Sequence, residues 1–401
     1  MSAPNWAALR SEFPTLANWT YLDVARKTVA PLCQERAMQE YYRDVYENAG
    51  ADAWSAVNVA ETRAVMAWLL GAKPSEIAFT KNTTEGLNIA AHGFALEPGD
   101  NIVLTNLEHV ANVWVWKHWE QKGVEIRFAR HLDGRLPLEA FLEKMDGRTR
   151  VVSTAYVTYG NGYRVNLPEL GRVCRERGVR LVVDGVQAAG ILAAPLNELG
   201  ADIISIGGHK GLFGLTGSGL VYCREELVNQ LRTDFVKQPA AAEPAARAHV
   251  VSQFDYVRTA HRFEGGNPNF LGIRVLRHGA GFIQSIGLKH IEQRVRALTT
   301  TCLKLLKAAG LKSLTPQAWE ERAQIVNVLV PNAAQLMERL KEKHRVVTNV
   351  KDDALRLSMS FFNNEEDLER AMHALRRELA AKPAPARSLR AAGSALDVGP
   401  D

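Results

Sequence analysis

The stretch I203-I-S-I-G-G-H-K-G-L-F-G-L-T-G-S-G219 runs from a short apolar segment into a glycine-bracketed His-Lys pair. An apolar run closed by glycine reads as a strand followed by a turn. Glycines let the backbone take positive φ and approach a ligand closely, and a lysine kept from water gives up its proton readily enough to form a Schiff base. Lys210 therefore reads as a covalent anchor for a carbonyl cofactor. On this run alone, a surface lysine in a glycine-rich turn fits equally well.

Upstream, V179-R-L-V-V-D-G-V-Q187 delivers Asp184 at the carboxyl end of a short apolar run. Open α/β sheets place their ligands there. A carboxylate in that position can pair with a protonated pyridine nitrogen, which is what makes pyridoxal phosphate an electron sink. Gln187 follows within reach of the ring's phenolic oxygen. Asp184 by itself is also an ordinary helix N-cap, but beside Lys210 the cofactor reading leads.

Helix and strand patterns alternate outward from these two segments, as a βαβ architecture requires. I102-V-L-T, V151-V-S-T-A-Y-V, L181-V-V-D and I203-I-S-I read as short buried strands, and L167-P-E-L-G-R-V-C-R-E-R as an amphipathic helix. The fold class expected is α/β, with a mostly parallel, doubly wound sheet in a large domain. Around residue 270 the pattern changes to a long helical stretch, then Q324-I-V-N-V-L-V, a helix at Q335-L-M-E-R-L-K-E, the strand L355-R-L-S-M-S and a last helix. The expected division is an N-terminal segment at 1–20 packing on the small domain, a large cofactor domain at 21–270, a small C-terminal α/β domain at 271–381 and a disordered tail at 382–401, where K382-P-A-P-A-R-S has little to bury.

With 401 residues, 46% hydrophobic and 23% charged, the chain can bury a large core. No apolar stretch approaches the roughly 20 residues needed to span a bilayer, and M-S-A-P-N-W-A lacks signal-peptide features, so a cytoplasmic protein without a membrane partner is expected. The formal charge of +5 comes from bases interspersed with acids, as in M337-E-R-L-K-E-K-H, which suggests solvated helix faces and no nucleic acid. Cys33, Cys174, Cys223 and Cys302 are scattered without metal-like spacing, so no metal site or disulfide framework is expected.

Together these motifs resemble, from about Tyr21 to Leu375, the class V aminotransferase and cysteine desulfurase branch of the fold-type-I pyridoxal phosphate enzymes. The resemblance implies that T80-K-N-T-T-E-G-L-N is the phosphate turn, with Asn82, Thr83 and Thr84 holding the phosphate at a helix N-terminus, where exposed N–H groups favour an anion. Read alone, the same segment is a capping box. In N106-L-E-H-V-A-N112 the resemblance makes His109 the imidazole stacked on the pyridine ring. Where the family has an asparagine contacting the phenolic oxygen, this chain has Thr158 and Tyr159. The family's serine before the lysine is Gly207 here, leaving His209 to reach the phosphate. The segment R-F-E-G-G-N-P, from Arg262 to Pro268, resembles the one that touches a neighbouring protomer's cofactor, with Asn267 where threonine is common. That implies a homodimer with active sites at the interface; the other reading is a plain glycine turn. Arg356, in A354-L-R-L-S, sits where the family binds the substrate carboxylate, for which the guanidinium fork suits.

Desulfurases of this family attack with a thiolate on a loop ahead of that arginine. H344-R-V-V-T-N-V-K-D-D-A-L contains none, and no cysteine follows Cys302. The expectation is therefore an amino-acid lyase (β-elimination, C–S lyase-like) without persulfide chemistry, with aminotransferase and epimerase or racemase as alternatives and a non-catalytic binding protein as the alternative of another class. Lys210, Asp184 and His109 are its expected catalytic residues. In D23-V-A-R-K-T, Arg26 or Lys27 could meet a second acidic group on the substrate, or face solvent.

Overall fold

The computed structural model describes residues 4–233 and 256–380; the tail expected at 382–401 lies outside them. Its first half runs α1 (Trp6–Ser11), β1 (Thr20–Tyr21), α2 (Leu32–Asn48), α3 (Ala56–Leu70), β2 (Ile77–Thr80), α4 (Thr83–Gly93), β3 (Asn101–Thr105), α5 (Val110–Lys117), β4 (Glu125–Ala129), α6 (Leu138–Leu142), β5 (Thr149–Ala155) and α7 (Leu167–Glu176). It continues with β6 (Arg180–Asp184), β7 (Ile203–Gly207), β8 (Gly219–Cys223), α8 (Glu225–Val228), α9 (Phe270–Ile286), α10 (Leu288–Ala308), β9 (Ile325–Val328), α11 (Ala333–His344), β10 (Val346–Val347), β11 (Asn349–Lys351), β12 (Ala354–Ser358) and α12 (Glu365–Ala380).

Seven strands form one sheet in the order β2-β8-β7-β6-β5-β3-β4, in which only β8 runs against its neighbours. Its central strands are buried on both faces, which is why they read as unbroken Val/Ile/Leu runs without alternation. Three further strands make an antiparallel sheet, β11-β12-β9, covered by apolar residues of α10, α11 and α12. The helix that opens at Phe270, where the sequence pattern changes, packs on the large unit: Ile273, Leu276, Ala280 and Ile283 of α9 belong to the first core, and the second begins within α10 at Leu298.

The N-terminal segment ties the two units together. Arg10 donates to both oxygens of the fully buried Asp367 on α12 (2.7 and 3.0 Å), and β1 adds in parallel to β10. Phe13 lies among Phe213, Phe282, Phe361 and Phe362, with ring centroids 4.4–6.1 Å apart. Phe213, three residues beyond Lys210, sits at φ +55°, a conformation costing a non-glycine residue about 1–2 kcal/mol. Burial of its ring in that aromatic cluster, worth roughly 1.5–3 kcal/mol, offsets the cost and pins the lysine loop.

Candidate active site

Four parallel strands and the turns after them converge on one crevice at their carboxyl ends. β6 ends on the buried Asp184, β7 leads through Gly207 and Gly208 to His209 and Lys210, β2 leads to the N-terminus of α4, and β3 to His109 at the N-cap of α5. The register places Asp184 opposite Ser205 of β7 and Ala155 of β5. Lys210 and Asp184 thus meet across adjacent strands.

Their protonation follows from that burial. The Lys210 amine is pushed down to about 8 by desolvation, against the opposing pull of Asp184. Asp184 is pushed up by its own burial, against the Val186 N–H it accepts at 2.9 Å and the Lys210 charge. A lysine poised near neutrality, facing a carboxylate one strand away, is the arrangement that imine chemistry needs.

Beside it, α4 offers an anion seat. Asn82 caps the helix through its side chain, accepting from the Glu85 N–H at 2.9 Å, and Thr83 and Thr84 open the first turn. Ser205 donates to the Thr83 carbonyl at 2.8 Å, fixing this turn on β7. A Cβ at Gly207 would fall 3.0 Å from the Thr83 hydroxyl and 3.1 Å from the His209 ring, so glycine there keeps a small cradle open between them. Burial, with the charges of Lys210 and Lys27, pushes His209 down to about 4. A neutral His209 ring can offer an N–H to an anion. A Cβ at Gly211 would collide with the Ala189 carbonyl oxygen, which holds the residue after the lysine against the loop that follows Asp184.

Helix N-terminus, glycine cradle, lysine and buried carboxylate fit a phosphate, an aldehyde and a pyridine nitrogen in turn, and with this sheet they define a fold-type-I pyridoxal-phosphate enzyme. The chain belongs to the aminotransferase class-V family, whose family model matches residues 20–371. It is similar to a probable cysteine desulfurase of Pyrococcus abyssi (30% identity over 332 residues, 80% of this chain and 81% of that one) and to the uncharacterized aminotransferase YcbU of Bacillus subtilis (26% identity, 93% and 97% covered). Among solved structures it resembles the apo cysteine desulfurase of Thermococcus onnurineus NA1, with a TM-score of 0.84, 25% identity and 94% and 98% covered. Its cofactor is pyridoxal 5'-phosphate.

The remaining expected residues fall into place unevenly. His109 accepts the Ala111 N–H on Nδ1 (3.2 Å), and its ring meets Tyr159 edge-on at 5.3 Å. Gln187 is buried beside Asp184, but its amide nitrogen donates to the Ala25 carbonyl at 2.8 Å and its oxygen faces Gln324 at 3.3 Å, so one N–H is left for a ring oxygen. Thr158 is turned away, 2.5 Å from the Asn161 side chain. Arg26 and Lys27 are exposed at the crevice rim, and Asn267 is exposed in the turn before α9.

Arg356 is where the structure adds most. An arginine in an alternating strand ordinarily faces water, yet its side chain is 2% exposed and bound to Asp23 at 3.1 Å. It also donates to the Tyr159 carbonyl at 2.9 Å, while its Nε has no hydrogen-bond partner among the described residues. Asn349 holds the other oxygen of Asp23 at 3.0 Å. A fixed guanidinium whose buried Nε–H is unspent can donate to a further anion. β11 and β12 are joined by the tight turn Asp352-Asp353, both at positive φ. Asp352 closes it onto the Tyr159 hydroxyl at 3.5 Å.

Proposed function

We propose that the protein removes the α-proton of an amino acid and expels its β-substituent, acting as a lyase without a cysteine thiolate. The observation that carries the α-proton step is Lys210 itself, its amine near 8 and acted on by Asp184 of the next strand. Bound pyridoxal phosphate supplies the electron sink for the carbanion left when the α-proton departs. Asp184 would pair with the pyridine nitrogen, His109 would cover one ring face, Gln187 would donate to the phenolic oxygen, and Asn82, Thr83, Thr84 and His209 would hold the phosphate. The Lys210 amine would be the base that takes the α-proton. Arg356, kept rigid by Asp23, offers its unspent N–H to the substrate carboxylate.

The thiol-free reading is supported by the cysteines. All four are buried, and burial pushes Cys33 up to about 11 and Cys174 and Cys302 up to about 12, with Cys223 raised further. None is a thiolate near neutral pH, and none lies between Arg345 and Arg356. The relatives' names favour a desulfurase instead, so product analysis decides between them. We further infer a two-fold homodimer in which Asn267 approaches the partner's phosphate, and a substrate whose second acidic group meets Arg26 or Lys27 at the rim.

The test is a product screen with acidic and neutral amino acids. Pyruvate with ammonia, and no enzyme-bound persulfide, is expected. A keto acid with the cofactor left in its amine form establishes transamination, loss of chirality with deuterium wash-in establishes racemisation, and a persulfide on any cysteine overturns the thiol-free reading. An Arg26→Ala, Lys27→Ala double variant with unchanged selectivity between acidic and neutral substrates removes the second-acid proposal.

A further inference from the structure

Under the cofactor crevice lies a second buried carboxylate that the reaction above does not use. Glu108, the residue before His109, is 7% exposed as a whole and has every polar contact turned inward. Its Oε1 accepts from the Thr105 hydroxyl at 2.7 Å and its Oε2 from the Asn112 amide at 2.8 Å. The backbone N–H of Ala155 bridges both oxygens at 3.1 and 3.0 Å. Ala155 is the β5 residue directly opposite Asp184 in the sheet. One side chain thus laces the end of β3 and the first turn of α5 to the strand that flanks Asp184.

We propose that Glu108 is a positioning residue for the cofactor reaction: it fixes the His109 ring over the cofactor and adds a negative charge behind Asp184 that holds the proton on the Lys210 nitrogen. The lacing extends through Asn112, whose oxygen accepts from Ser153 at 2.7 Å and from the Trp116 indole at 3.3 Å. That sets α5, and with it His109 at the helix's N-cap, on β5. An apolar residue would fill the space, but only an acceptor with two oxygens satisfies all these donors.

The charge can change. An amide and a backbone N–H can only donate, so Oε2 is always an acceptor. The Thr105 hydroxyl can turn, donating to an ionised Oε1 or accepting from a protonated one. The ionisable groups acting on Glu108 are Asp184 on β6 and, through its own shift, Tyr159 beyond β5. Burial above all, with a smaller push from Asp184 and against the hydrogen bonds that oppose both, raises Glu108 to about 7, so its charge is sensitive near neutral pH.

The inference rests on the cofactor being joined to Lys210, so a wild-type holoenzyme that binds cofactor without a visible band dependent on Lys210 removes that premise, not the role of Glu108. The experiment titrates the visible band of the holoenzyme with pH in wild type, Glu108→Gln and Thr105→Val, and follows the rate at which each loses cofactor on dialysis. Glu108→Gln removes the charge. Thr105→Val removes the donor that favours the charge while keeping the β-branched shape, and so serves if the first variant does not fold. Both should move the band's midpoint to lower pH, Glu108→Gln by at least about half a pH unit and Thr105→Val by less, and Glu108→Gln should lose cofactor faster. Unchanged midpoints in both, or in Thr105→Val alone if Glu108→Gln fails to fold, would overturn the proposal and leave Glu108 a structural residue only.

Discussion

Replacing Asp23 with alanine strips Arg356 of the carboxylate that holds it. Both side chains are 2% exposed and 3.1 Å apart, so the guanidinium left behind cannot turn to water. It keeps the Tyr159 carbonyl, but its Nε is already without a partner among the described residues, and Asn349 loses an acceptor in the same stroke. Breaking a buried ion pair from one side costs about 3–5 kcal/mol, against at most about 1 kcal/mol for an exposed pair. Urea unfolding of the apoprotein, followed by Trp fluorescence, measures the loss. Because the cost comes from the orphaned charge, Arg356→Met on top of Asp23→Ala should recover a large part of it. Formate or acetate, entering as a surrogate carboxylate, should stabilise Asp23→Ala more than wild type. A loss under about 1 kcal/mol, or a double variant no better than the single one, refutes the view that these residues form a buried pair whose members depend on each other.

Lys210 makes the apoprotein's stability depend on alkaline pH. Its amine titrates near 8 when folded and near 10.5 when unfolded, so the unfolded chain holds more protons between those values and stability rises across that window; Lys210→Met should abolish that component, and an identical pH–stability curve for the variant would contradict the buried-amine reading. Asp184→Asn should weaken cofactor retention and shift the holoenzyme's visible spectrum while leaving the apoprotein folded, since the Val186 N–H keeps an acceptor; absorption and dialysis check it, with wild-type retention as the contrary result. The four buried thiols should react with an aromatic disulfide reagent only after urea is added, and a rapid stoichiometric release from the native protein would show a thiolate that the structure does not hold.

Much of the fold is written locally. Strands buried on both faces announce themselves as short apolar runs, and the polar residue that ends such a run, as Asp184 ends L181-V-V-D, marks the ligand edge of the sheet. The glycines around Lys210 and the Asn82-Thr83-Thr84 helix start are equally local, and the structure brings these segments to one crevice. What stayed hidden depends on partners far away in the chain. Arg356 looks like a solvent-face residue until Asp23, 333 positions earlier, folds onto it. Gln187 lends part of its amide to Ala25, 162 positions away. Phe270 begins a helix at a change of sequence pattern, yet its apolar face is claimed by the first core, because amphipathic periodicity says which face is buried and not against what. Glu108 carried one visible sign, an acid at the end of an apolar strand beside a histidine; its donor Asn112 is local, but Ala155 lies 47 positions on.

The covalent role of Lys210 can be tested in one measurement. Reducing the holoenzyme with borohydride fixes a carbonyl cofactor to the amine that holds it, and peptide mass spectrometry then locates the added mass. The label should appear on the peptide carrying His209 and Lys210, at Lys210, and should vanish in Lys210→Ala. A label on another lysine, or a holoenzyme that takes up no label at all, would contradict the account.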